Sequence, residues 1–78
     1  METSLIKQCI EQGLECEYVE VAGDGHHFEA IVVSALFQGK PKVRQHQMVY
    51  SALGDRMREE IHALSIRTLT PDEWRASQ

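Results

Sequence analysis

Histidine is the residue type in this chain best suited to chemistry, and it occurs four times, as His26, His27, His46 and His62. A neutral imidazole offers one ring nitrogen to a metal, and it titrates near physiological pH. His26 and His27 follow Gly23-Asp24-Gly25, a tight connection that leads into an apolar run. Because side chains alternate along a strand, one of this pair is expected to point outward and the other inward. His62 stands beside Glu59 and Glu60 at a helix-to-strand junction. His46 shares a helical face with apolar residues and reads as a core or boundary imidazole. Taken singly, each of the four also reads as a hydrogen-bonded structural histidine. Cys9 and Cys16 are the only thiols and form no CxxC pair. They read as two unbridged, partly buried thiols of a reducing compartment, since a structural zinc site needs four spaced ligands.

Other chemistries find little support. There is no GxSxG elbow, no phosphate loop ending in Lys-Ser/Thr and no HExxH. Glu59-Glu60 before His62 could form an acid–base group, but carboxylates at a helix end are usually solvated. An independent active site is not expected. The net charge is −4, and it is unevenly spread. Residues 1–29 hold one lysine against seven acids, whereas residues 40–58 hold Lys40, Lys42, Arg44, Arg56 and Arg58 against Asp55 alone. Such asymmetry suits a protein partner of complementary charge. Lys40, Lys42 and Arg44 also make a candidate nucleic-acid surface, although phosphate-binding chains are usually basic overall. Gly39-Lys40-Pro41-Lys42 is not the GXXG loop that clamps nucleotides.

The 78 residues that must position these groups amount to one domain with one modest core. The longest apolar run, residues 30–37, is far too short to span a bilayer. The N-terminus lacks the basic and apolar regions of a secretory signal, so the cytoplasm is the expected location. Leu5, Ile6, Cys9 and Ile10 recur at helical spacing over residues 4–12, with Thr3 or Ser4 as N-cap and Gly13 as a stop. Residues 15–21 and 27–34 read as an antiparallel hairpin, with the second strand covered on both faces or central. From about residue 42 a second helix presents Val43, His46, Tyr50, Leu53 and Met57, flanked by Val49. Gly54 should break it and leave a short helical piece up to Glu60. Residues 61–70 alternate as a third strand, with His62, Leu64, Ile66 and Thr68 on one face. Thr70-Pro71-Asp72-Glu73-Trp74 is a strong helix start, with Thr70 as N-cap, Pro71 in the first position and Glu73 closing a capping box. Trp74 is expected to fold back onto the core. The order α-β-β-α-(α)-β-α predicts an α+β fold with helices mainly on one face of a three-stranded sheet. Its third strand arrives by a helical crossover, so one pairing should be parallel.

Several motifs agree in order and spacing with a known family. These are Gly25-His26-His27-Phe28-Glu29, Phe37-Gln38-Gly39-Lys40, Arg44-Gln45-His46-Gln47-Met48-Val49-Tyr50, Ile61-His62-Ala63-Leu64-Ser65-Ile66 and Thr70-Pro71-Asp72-Glu73-Trp74. Across nearly the whole chain they resemble the BolA family, and most of all its short bacterial acid-stress members. The resemblance implies a class II K-homology-like fold over residues 1–78 and a monothiol glutaredoxin as partner. It further implies a [2Fe–2S] cluster bridged between the two proteins, with the glutaredoxin cysteine and a glutathione thiolate on one side. The family's C-terminal histidine ligand falls on His62, and its loop ligand falls on His27 or His26, with His27 preferred. Cys16 lies too far before the loop to be the choice. Family members are also linked to transcriptional control of stress response and morphology, for which the basic segment would be the DNA surface.

Overall fold

The computed structural model describes residues 2–57 and 61–78. The first helix, α1 (Thr3–Gly13), buries Ile6, Cys9 and Ile10, which the three- and four-residue spacing places on one face. It starts earlier than expected. Glu2 is the N-cap and makes no side-chain cap bond, and its carbonyl already accepts from the Leu5 and Ile6 amides at 3.1 and 3.4 Å. Thr3 and Ser4 therefore lie inside the first turn. Gly13 is the last helical residue, and what demands glycine there is packing. A Cβ at Gly13 would lie 2.7 Å from the Ala52 Cα, so its absence lets α1 cross the second helix closely.

Strands β1 (Tyr18–Gly23) and β2 (Phe28–Val33) form the antiparallel hairpin, with Val19 opposite Val32 and Val21 opposite Ala30. A 3-10 turn (Ala35–Phe37) leads to α2 (Lys42–Leu53), which Gly54 ends at φ +64°. A further 3-10 turn covers Gly54–Met57. The continuation to Glu60, and the Glu59-Glu60 pair beside His62, lie outside the described residues. Another 3-10 turn (Ile61–Ala63) precedes β3 (Leu64–Leu69), which pairs parallel with β2, and α3 (Pro71–Ala76) follows. Among the described residues the sheet is three-stranded and mixed, in the order β1-β2-β3, and the fold is α+β.

One face of the sheet presents Val19, Phe28, Ala30, Val32 and Leu64 to α1 and α2, and Phe37 closes the core from the 3-10 turn. Burying a side chain such as Phe37, Ile6 or Leu53 contributes about 1.5–3 kcal/mol each before entropy is counted. β2 is central as expected, but it is covered on both faces only at its C-terminal end. Val33 is fully buried on the far face, whereas Ile31 is half-exposed and Glu29 exposed. The cover there is α3. Its Trp74 ring stacks on Tyr18, centroids 4.9 Å apart, on the face opposite Val19. Trp74 thus covers the back of the sheet and does not return to the main core.

The α2 face also differs from its sequence pattern. The buried residues are Gln45, Val49 and Leu53, while Val43 is 66% and Tyr50 36% exposed, and His46 is half-buried. Val49 and Leu53 pack into the core on this face, and a polar clamp joins them one turn earlier. The Gln45 amide donates to the Phe37 and Lys40 carbonyls at 3.1 and 2.9 Å, and its oxygen accepts from the Thr68 hydroxyl at 2.6 Å. A buried glutamine is tolerated when its hydrogen bonds are met, and here they join the turn, α2 and β3. The capping box of α3 is present as the sequence predicts.

Candidate histidine site at one end of the sheet

The loop carrying His26 and His27 is built by its three preceding residues. The Asp24 Oδ1 accepts from the backbone N–H groups of both His26 and His27, each at 2.8 Å. The Asp24 N–H in turn donates to the His27 carbonyl at 3.2 Å. Gly25 has φ +94°, a left-handed conformation that glycine adopts without strain. A Cβ at Gly23 would sit 2.8 Å from the His27 carbonyl oxygen and 2.4 Å from the Phe28 ring. Only glycine admits that close approach. The two amides hold the Asp24 carboxyl below its ordinary range, His27 more than His26. Gly23-Asp24-Gly25 marks a turn in the sequence, whereas the role of Asp24 emerges from the fold. The signal was Asp followed by Gly, where a short carboxylate can bond its own chain two and three residues on.

Both loop histidines lie before β2 begins, and both are exposed. The strand alternation expected for them therefore does not apply. His62 likewise lies in a 3-10 turn ahead of β3 and is exposed, so it does not share a strand face with Leu64. The parallel register brings the two segments together. Phe28 pairs with Leu64, so the residues that precede each strand emerge at the same end of the sheet. Among the described residues no hydrogen bond engages the imidazoles of His26, His27 or His62, and no three His, Cys, Asp or Glu side chains form a metal-binding group. This end of the fold offers accessible nitrogen donors, but fewer than a complete coordination shell.

The other candidates lie elsewhere. Cys16 precedes β1, whose first residue Tyr18 pairs with Val33 at the opposite end of the sheet from Phe28. A six-residue strand separates the two ends by roughly 17–20 Å. The Cys16 Sγ donates to the Leu14 carbonyl, and burial, then the Glu11 charge, push its thiol up to about 11. The two cysteines are not joined in a disulfide. Lys40, Lys42 and Arg44 also belong to the Val33–Leu69 end. The Lys42 ammonium donates to the Thr68 carbonyl and stands 4.0 Å from the Glu73 Oε1. That of Lys40 donates to the Leu36 carbonyl at 2.7 Å. Arg44 is exposed. The structure thus separates the histidine set from the basic set along the sheet. Among the described residues no helix is long and apolar enough to cross a membrane.

Comparison with known proteins agrees with this architecture. The chain is 40% identical over 75 residues to the acid stress protein IbaG of Escherichia coli, a span of 95% of this chain and 89% of that one. It is 30% identical to the DNA-binding transcriptional regulator BolA of Haemophilus influenzae, covering 92% of this chain and 80% of the relative. The solved structure of a bolA protein homologue from Coxiella burnetii superposes with a TM-score of 0.85 at 49% identity, covering 96% and 97% of the two chains. The first two relatives carry the names of a stress protein and a transcriptional regulator. Residues 10–73 match the family model described as BolA-like protein, and the chain belongs to that family.

Proposed function

We propose that this protein is a non-enzymatic adaptor that pairs with a monothiol glutaredoxin in the cytoplasm and supplies histidine ligands to a bridging [2Fe–2S] cluster. The observation that carries the reading is the parallel register, which presents His62 and the His26-His27 loop, all exposed, at one end of the sheet. His62 and His27, with His26 as the alternative to His27, would hold the cluster's iron on this side. A glutaredoxin cysteine and a glutathione thiolate would complete the other side. When bound, the cluster supplies one-electron chemistry, and imidazole ligation raises its potential relative to four thiolates. The chain's own part is to present deprotonated ring nitrogens, so acid should weaken the complex. A ligand set that is incomplete in one chain supports a heterodimer.

The test is to mix the purified chain and a monothiol glutaredoxin with iron, sulfide and glutathione, and to record visible absorption and circular dichroism. The expected result is a spectrum distinct from that of glutaredoxin alone. An unchanged spectrum, or a His62→Ala protein indistinguishable from wild type, would overturn the ligand assignment.

A second reading, a DNA-binding regulator, is favoured by the cluster of Lys40, Lys42 and Arg44 at the start of α2, remote from His26, His27 and His62. The internal hydrogen bonds of Lys40 and Lys42 and the acidic total weigh against it. A fluorescence-anisotropy titration across a salt series decides. Binding through this segment should weaken steeply with salt and on neutralising Arg44.

A further inference from the structure

We propose that Asp24 is a positioning residue for the histidine loop, holding the backbone of His26 and His27 in the geometry that presents their imidazoles at the shared end of the sheet. The inference rests on the adaptor reading and adds to it a residue that is not itself a ligand. One carboxylate oxygen accepts both histidine amides at 2.8 Å, and the Asp24 amide donates back to the His27 carbonyl at 3.2 Å. Three bonds from one residue thus pin the loop. Gly23 makes an independent contribution, because its missing Cβ is what allows the His27 carbonyl and the Phe28 ring to approach. Phe28 is a core residue and the first of β2, so the loop is anchored to the rigid sheet directly beside His27.

The physical consequence is preorganisation. Exposed imidazoles on a free loop would have to be ordered by the partner, which lowers affinity without changing any contact. With the backbone already held, only the side-chain torsions of the histidines remain to be set. Donor atoms carried by a fixed frame bind more tightly than the same atoms on a mobile one. Asp24 acts here as a hydrogen-bond acceptor, so asparagine, whose Oδ1 can accept the same two amides, should substitute for it largely intact. Alanine should not.

The experiment compares wild type, Asp24→Ala and Asp24→Asn in two measurements. In the free, 15N-labelled protein, amide hydrogen exchange of His26 and His27 should be about tenfold faster or more in Asp24→Ala, and within about threefold of wild type in Asp24→Asn. In the mixture with glutaredoxin, iron, sulfide and glutathione, the concentration of chain needed to reach half of the spectral change should rise about tenfold for Asp24→Ala and recover in Asp24→Asn. Exchange unaltered by Asp24→Ala would overturn the proposal. So would a loosened loop whose cluster spectrum forms at wild-type concentration. If the wild-type mixture shows no cluster spectrum, the adaptor reading fails, and the exchange measurement decides the loop claim by itself.

Discussion

His27 and His62 enter neighbouring parallel strands from the same end of the sheet. His27 directly precedes Phe28, His62 stands two residues before Leu64, and Phe28 and Leu64 are paired. They are 35 positions apart in sequence and separated by all of β2 and α2. A parallel pairing is what allows this, because both strands then begin at one edge of the fold. An antiparallel β3 would have carried His62 to the far end, beside Lys42.

Removing these imidazoles should leave the fold almost untouched. His26, His27 and His62 are exposed and make no side-chain hydrogen bond among the described residues. Their alanine variants should each change unfolding free energy by less than about 0.5 kcal/mol in urea titrations. The same variants should differ sharply in the cluster assay. His62→Ala should lose the bridged spectrum, and His27→Ala should lose more of it than His26→Ala.

The Gln45 clamp should behave in the opposite way, affecting stability and not ligation. Gln45→Ala removes the side-chain partner of the Lys40 carbonyl and of the Thr68 hydroxyl in a buried site, and one of two donors to the Phe37 carbonyl, which keeps the Lys40 amide at 3.2 Å. A loss of about 2–4 kcal/mol is expected, against about 1 kcal/mol for Thr68→Val, which keeps shape and removes one donor. Urea unfolding followed by far-ultraviolet circular dichroism measures both. Equal small losses would show that the clamp adds little to stability.

Acid should release α3 before the rest of the fold. The Glu73 carboxylate accepts from the Thr70 amide at 2.8 Å and faces Lys42, and both hold its pKa below the ordinary value of 4.5, the Thr70 bond foremost. Because the folded-state value is depressed, the stabilising contribution is fully present above 4.5. It is lost as pH falls through the lowered value. Trp74 fluorescence, sensitive to its stack on Tyr18, should therefore change in the acid range. In Glu73→Gln that acid limb should flatten, since the amide keeps the acceptor but does not titrate.

Cys16 should be a poor nucleophile. With its thiol pushed up to about 11 by burial and by Glu11, little thiolate exists at pH 8. Cys9 is buried in the core. Native protein should react with iodoacetamide much more slowly than denatured protein, with Cys16 labelling accelerating only toward pH 11. Rapid labelling of Cys16 near neutrality would contradict that environment.

The sequence by itself determined the element order, the hairpin, the helix-ending Gly54 and the Thr70–Glu73 capping box, because each depends on spacing and turn chemistry within a few residues. It also carried the family motifs. Tertiary structure decided the rest, and for identifiable reasons. The buried face of α2 runs through Gln45, Val49 and Leu53 and not Val43 and Tyr50, because Val49 and Leu53 pack into the core while Gln45, one turn earlier, meets its hydrogen bonds with the turn and β3. Trp74 went to the back of the sheet, where it stacks on Tyr18; the parity of Tyr18 is local, but its pairing with a residue 56 positions on is a relation that no local pattern records. The histidines are the clearest case. Their types were legible in the sequence, but His27 and His62 lie just outside the strands expected to hold them. What unites His27 with His62 is a parallel register set by core packing across β2 and β3.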